Sequence, residues 1–432
     1  VEGEYVGGTT FTKAYISDAS GIAWAKFYVD GVPLGYMWQE ADYWRYNWNT
    51  SDVTMGTHTI KVEAADNCSC HNVGSVTRGV YVHPSVSLAA VRFPGGHTLW
   101  ERDTDQEITP PPQWQPGWTN PFAYTISSQM TVGVLMTSSN VAGTAHVRYV
   151  VSGTWSDGGT YSADKTGMSG PPCWLSHYPT ARSKVMDYTL SQAYTFYVRK
   201  SEESDWAPAG SANASHPQVY LTFGTPVGPW GPSGTPRACW SRVLKDACEW
   251  MPDTGYGSGE ALDARKRLAF KAYWSGGKSY NSSNLYYVFY PDDDNPTSKR
   301  FNCWQSMHDT DADCQVMSLW WQALCHSLGI ASGARRIEGR FWYKSLDPVR
   351  DLGWTAEDDG HYWNFHHVGI YNNVFDPCVQ LNPATPRVPQ DESIGDGGPY
   401  KTDLFRTGDW ALRDTFLLGE TDPTWNLPSE VN

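Results

Sequence analysis

The sequence predicts a multidomain chain: two all-β sandwiches, residues 1–83 and 84–226, followed by an α+β domain over 227–432. Three observations lead there. A length of 432 residues suits two to four domains. Apolar residues recur at the strand period through the first half, with turn residues between the runs. Past GTPVGPWGPSGTPR (residues 224–237), with four Pro and four Gly in fourteen positions, the period becomes that of helices.

Within the first domain, residues 23–29 read as a strand with Ala23, Ala25, Phe27 and Val29 on one face. Asp30-Gly31 is a two-residue hairpin signal, and Trp44, Tyr46 and Trp48 share a face of a later strand. Gly56-Thr57-His58 turns into a strand over 59–64. The segments SDASGIAWAKFYVDGVPLG and GTHTIKVEAAD resemble the bacterial immunoglobulin-like modules appended to secreted enzymes. Such a module is a spacer or an adhesive element, and fold alone does not say which.

For the second domain the strands expected are 124–136, 145–151, 194–199 and 218–223, while the Pro-rich 110–121 is excluded from a central strand or a helix. Beyond 237, residues 238–251 form a helix with Trp240, Val243, Leu244, Ala247 and Cys248 on one face. Residues 260–273 form another, with Leu262, Leu268, Ala269 and Ala272 as its apolar positions. A short strand is expected at 286–290 and a longer alternation at 336–343. The tail from 382 is rich in Pro and Asp and is expected to wrap the domain rather than add a core.

The chemistry centres on a helix opening at Cys314. Met317, Trp321, Leu324, Cys325 and Leu328 follow at helical spacing, and Gly329 stands where a glycine cap belongs. Asp309, Asp311 and Asp313 are capping candidates. In the first turn, unpaired N–H groups and the helix dipole favour an anion, which suits a thiolate nucleophile. The three aspartates oppose that, so an imidazolium partner is needed. It is found in WNFHHVGIYNNVFDPC, read as strands over 365–371 and 374–376 turned by Asn372-Asn373. The hairpin returns Asp376 beside His366 and His367, giving nucleophile, base and orienter in chain order.

Asp313-Cys314-Gln315 opening a helix that ends Leu328-Gly329-Ile330, the strand Phe365-His366-x-Val368, and Val374-Phe375-Asp376 together resemble the bacterial transglutaminase-like family. The resemblance takes in the helical run 239–251 and covers roughly the C-terminal half. It implies a papain-like α+β domain with Cys314 as nucleophile, His366 as base and Asp376 as orienter. A two-residue turn at Asn372-Asn373 would pair Gly369 with Asp376 and put His367 in line. A three-residue loop over 371–373, with Asn373 left-handed, pairs Val368 with Asp376 and favours His366. Val368 and Ile370 share the His366 face, so His366 is preferred and His367 is the alternate. His361 lies roughly 25 Å along the strand from the position opposite Asp376. The oxyanion donors expected are the Cys314 N–H with Gln305 or Trp304. Cys325 is read as structural and Cys378 as a disulfide partner. The run HDTDADC lacks the glycine and glutamate of a helix–loop–helix calcium site, so no metal or cofactor is expected.

Composition narrows the function classes. With 32 basic and 46 acidic residues the net charge is −14 and no basic run occurs, which argues against a nucleic-acid partner. No apolar stretch is long enough to span a membrane. Twenty-two Trp and 25 Tyr suit small sandwich cores, or a surface that stacks on sugars or peptides. Nine cysteines fit four disulfides plus one nucleophile, and the Cys68-Ser69-Cys70 stretch lacks the second pair and His spacing of a zinc site. An exported, secreted or cell-surface protein is therefore expected, and the opening VEGEYVGG carries no leader pattern. The activity expected is cysteine-dependent acyl transfer on a protein or peptide substrate, hydrolysis ahead of crosslinking. The competing expectation is an inactive domain in a surface protein that binds through its aromatic-rich β domains, carbohydrate among the partners.

Overall fold

The computed structural model describes residues 4–6, 9–50, 53–54, 56–82, 85–101, 106–109, 111–139, 145–169, 172–199, 205–227, 239–275, 279–280, 289–292, 295–301, 311–312, 314–342, 346–348, 362–381, 388, 390–392, 400 and 418–419.

The first module packs two sheets face to face. One has Glu4–Val6, Val73–Val82, Gly56–Asp66, Ile22–Val29 and Val32–Tyr36 in that order; the other has Thr9–Ala14, Tyr43–Asn49 and Trp38–Glu40. Asp30 and Gly31 both take positive φ (50° and 81°), the pair of left-handed residues that a two-residue hairpin matched to strand twist requires. Alternation then sends Ala25, Phe27 and Val29 inward to meet Trp48, Val62, Val80 and Val82. Ala23 is exposed instead of joining them, because the register shifts between Ile22 and Trp24.

The next module is also two sheets. Trp118–Thr119, Trp114–Gln115, Ser85–Arg92, Val132–Ser139 and Cys173–His177 form one; Phe122–Thr125, Ala207–Thr222, Met186–Arg199, Ala145–Trp155 and Thr160–Ser169 form the other. The single strand expected over 124–136 is two strands in different sheets, broken where Ser127 turns at φ 57°. Thr160–Ser169 escapes sequence reading because it is an edge strand whose side chains, Tyr161 and Met168 apart, are polar or small. The Pro-rich stretch contributes only two-residue strands at a sheet margin.

Among the described residues three longer helices follow: α1 (Ser241–Glu249), α2 (Ala261–Ser275) and α3 (Cys314–Ser327). They accompany a sheet ordered Gln390–Glu392, Asn373–Phe375, Tyr362–Tyr371, Gly333–Trp342 and Leu418–Gly419. Helix α1 buries Val243, Leu244, Ala247 and Cys248, the face its periodicity assigns, while Trp240, expected on that face, lies before the helix in the short strand Cys239–Trp240 paired with Leu99–Trp100. In α2, Leu268, Ala269 and Ala272 are buried as expected, Ala264 and Arg265 are buried with them, and only Leu262 of the expected face is exposed. Asp311 lies in a two-residue strand paired with Ser279–Tyr280 and not in a helix cap. The tail does more than wrap: Gln390–Glu392 adds an edge strand, and Val388 and Tyr400 enter the core.

One apolar cluster runs from Val86 to Tyr400, through the second module and the helices. Helix α1 touches both Met186–Arg199 and Ala207–Thr222 on one side and α3 on the other. The front of the Pro/Gly segment is held too. Phe223 and Val227 donate backbone N–H groups to the carbonyls of Leu328 and His326 at 2.9 Å each. That closeness requires glycine at 329 (φ 71°), where a Cβ would strike the Gly224 backbone. Cys68, Cys70, Cys248 and Cys325 are unbridged thiols, so four disulfides cannot form from nine cysteines in this arrangement.

Candidate active site

Helix α3 is buried along most of its length, its polar Ser318, Gln322 and Ser327 included, and packs against α1, α2 and the strand Tyr362–Tyr371. Trp321 sets its height. Its ring stacks on Phe375 at 5.0 Å, its indole N–H reaches the Arg265 carbonyl at 3.1 Å, and it lies over Gly369 where a Cβ would collide. From this contact, seven residues back along the helix to Cys314 is about 10 Å. Three residues back along the strand to His366 is also about 10 Å.

The hairpin resolves which histidine faces Asp376. Ile370 pairs with Val374 and Gly369 with Phe375, the register of the three-residue loop. The left-handed residue is Asn372 (φ 62°), not Asn373 as expected from the three-residue pattern. Asp376 then falls across from Val368, on the face that carries His366, and the structure joins the two: His366 Nε2 lies 2.6 Å from Asp376 Oδ2. Both side chains are fully buried. His367, half-buried on the opposite face, pairs with Arg336 across the sheet.

Three donors converge on the Asp376 carboxylate. The Cys378 backbone N–H reaches Oδ1 at 2.9 Å, while the Tyr400 hydroxyl at 2.8 Å and His366 Nε2 share Oδ2. A carboxylate only accepts, so the imidazole donates from Nε2 and its Nδ1 is left as the basic nitrogen. Burial raises the Tyr400 hydroxyl well above the ordinary tyrosine range, reinforced by Asp376, Cys378 and Cys314. Cys314 opens helix α3, which packs on the strand that carries His366. It is buried at the first position of α3, where the first backbone N–H groups of a helix have no intrahelical acceptor.

At Cys325, three turns on, burial pushes the thiol up to about 12. Cys378 is also buried, and its backbone, through the N–H, is what the site uses. Trp304, Gln305, Asp309, Asp313 and His361 lie outside the described residues. No cluster of His, Cys, Asp or Glu suited to a metal occurs among the described residues. Sequence reading missed Tyr400, a single tyrosine in the polar run GDGGPYKTD, where nothing marks it as buried.

Fold and site together define a multidomain, mainly β-sheet protein whose first module is immunoglobulin-like. Residues 1–62 match the family model described as a bacterial Ig domain. Among solved structures the chain is similar to the fibronectin(III)-like modules of Clostridium thermocellum CbhA, at 13% identity over 51% of this chain and 90% of that one, TM-score 0.19. It is similar to dimeric latent PorU from Porphyromonas gingivalis, at 12% identity over 51% of this chain and 19% of that one, TM-score 0.18. A putative membrane anchored protein from Corynebacterium diphtheriae aligns at 9% identity over 51% of this chain and 57% of that one, TM-score 0.17. No curated protein matches. No helix among the described residues is long and apolar enough to cross a membrane.

Proposed function

We propose that the C-terminal unit is a papain-like, transglutaminase-like domain that carries out cysteine-dependent acyl transfer, and that the protein works outside the cell. The observation that carries this reading is the buried His366–Asp376 pair at 2.6 Å beneath the helix that begins at Cys314. The Cys314 thiolate attacks an amide carbonyl of a protein or peptide, and the backbone N–H groups at the start of α3 receive the developing oxyanion. His366 takes the thiol proton at Nδ1 and passes it to the leaving amine. Asp376 fixes the ring and stabilises the imidazolium. Water then releases the acyl group from the thioester, which makes hydrolysis the main outcome. An extracellular setting is supported by the bacterial Ig match at residues 1–62.

Iodoacetamide labelling followed by mass spectrometry tests this directly. Cys314 is expected to react in the folded protein at a pH where an ordinary thiol is still protonated, while Cys325, whose thiol stays protonated, reacts only on unfolding. Cys314→Ala is expected to abolish peptidase or amidase activity with folding retained. Full activity in that variant, or an inert Cys314 in the native chain, overturns the reading.

A further inference from the structure

The N-terminal module carries a surface that the proposed chemistry does not use. Its three-stranded sheet turns Trp44, Tyr46 and Trp48 toward the core, so alternation sends Tyr43, Arg45 and Asn47 outward. Register places Lys13 and Trp38 on either side of Arg45, and Phe11 across from Asn47. Phe11 is 55% exposed, Trp38 44% and Tyr15 78%. A folded domain gains nothing by leaving such rings in water.

These side chains are held in place. The Arg45 guanidinium carbon lies 4.6 Å from the Phe11 ring centre and 5.9 Å from that of Trp38. Its nitrogens also bond Glu40 at 3.0 Å and Asn47 at 3.1 Å. The Lys13 ammonium sits 4.2 Å from the Tyr43 ring, which meets Tyr15 edge-on at 6.0 Å. The face is therefore a row of rings in which Arg45 stands between Phe11 and Trp38 and Lys13 between Phe11 and Tyr43. Its order costs a ligand little further entropy.

We propose that this face binds a polysaccharide built of β-linked pyranoses with equatorial substituents. Such a sugar has flat C–H faces whose hydrogens are partly positive and meet the negative face of an aromatic ring. Its hydroxyls lie around the ring edge, where Arg45, Lys13, Glu40 and Asn47 can donate and accept. The Phe11 and Trp38 rings are at most about 10 Å apart across Arg45, a span comparable with two units of an extended chain. Other occupants fit less well. A protein interface wants a dry apolar centre depleted in charge, and here charged groups separate the rings. Nucleic acid needs uncompensated cations, but Glu40 pairs with Arg45 and the whole chain carries −14.

The proposal is independent of Cys314. It is tested by retention of the full chain on insoluble cellulose and on chitin, with soluble oligosaccharide of the same linkage as competitor. Retention is expected on at least one matrix, removed by the competitor and weakened about tenfold in Phe11→Ala and in Trp38→Ala. Val76→Ser, which alters an exposed residue of the other sheet, is expected to be retained like the native chain. Both ring positions are solvent-facing, so folding is expected to survive, and far-UV circular dichroism checks it. No retention on either matrix, or equal retention of the two ring variants, overturns the proposal.

Discussion

Asp376 is the residue on which the site turns, since it accepts from His366, Tyr400 and the Cys378 backbone at once. A buried carboxylate that accepts from three donors is held in place. Removing one donor changes how strongly the other two are bound. Tyr400→Phe keeps the ring and its packing but deletes a hydroxyl that competes with His366 for Oδ2. We expect a stability loss of about 1 kcal/mol. We also expect the rising limb of the Cys314 alkylation profile to move to lower pH, because the carboxylate then supports the imidazolium more strongly. A profile left in place would assign Tyr400 to packing alone.

Among the elements, the second module has polar groups sealed between its sheets. Tyr149 bonds His177 Nδ1 at 2.9 Å, and His216 bonds Gln192 at 2.9 Å, with Gln192 passing on to Tyr161. Burial lowers His177 to about 4 and His216 to about 3. Both are neutral when folded but take up protons near pH 6.5 when unfolded. Folded values below the unfolded value mean that stability is full above about pH 6.5 and falls as pH drops toward 4 and then 3. By pH 5 the loss is about 2 kcal/mol for each histidine. Urea midpoints measured between pH 7 and 5 are expected to decline steadily. A flat response would mean that these rings are not sealed as described.

At the scale of the whole molecule, the two apolar clusters among the described residues predict two unfolding units. The first module closes on its own core around Phe27 and Trp48. The second joins Met186–Arg199, the helices and Tyr400 in one cluster, with α1 as the bridging element. Hydrogen exchange in rising denaturant is expected to release the first module separately, and to open α1, α3 and Met186–Arg199 together. Helices that open well before those strands would show that the shared contacts are not cooperative. The proposed roles also divide along this line, with polysaccharide contact on the first unit and acyl transfer on the second.

What the sequence by itself determined is local. The left-handed pair Asp30-Gly31, the helix from Cys314 to its glycine cap, and the inward faces of Ile22–Val29 and α1 all follow from spacings of a few residues. His366 rather than His367 was legible because a loop of known length fixes register, and register fixes which side chains share a face. The rest depended on contacts between residues distant in sequence. Ala23 turned outward through a bulge, 124–136 divided between two sheets, and Leu262 was left in solvent at the start of α2. Tyr400 reached Asp376 from a tail whose composition suggested no core. No short window of sequence contains the partner against which such residues are buried, so only the tertiary structure could decide them.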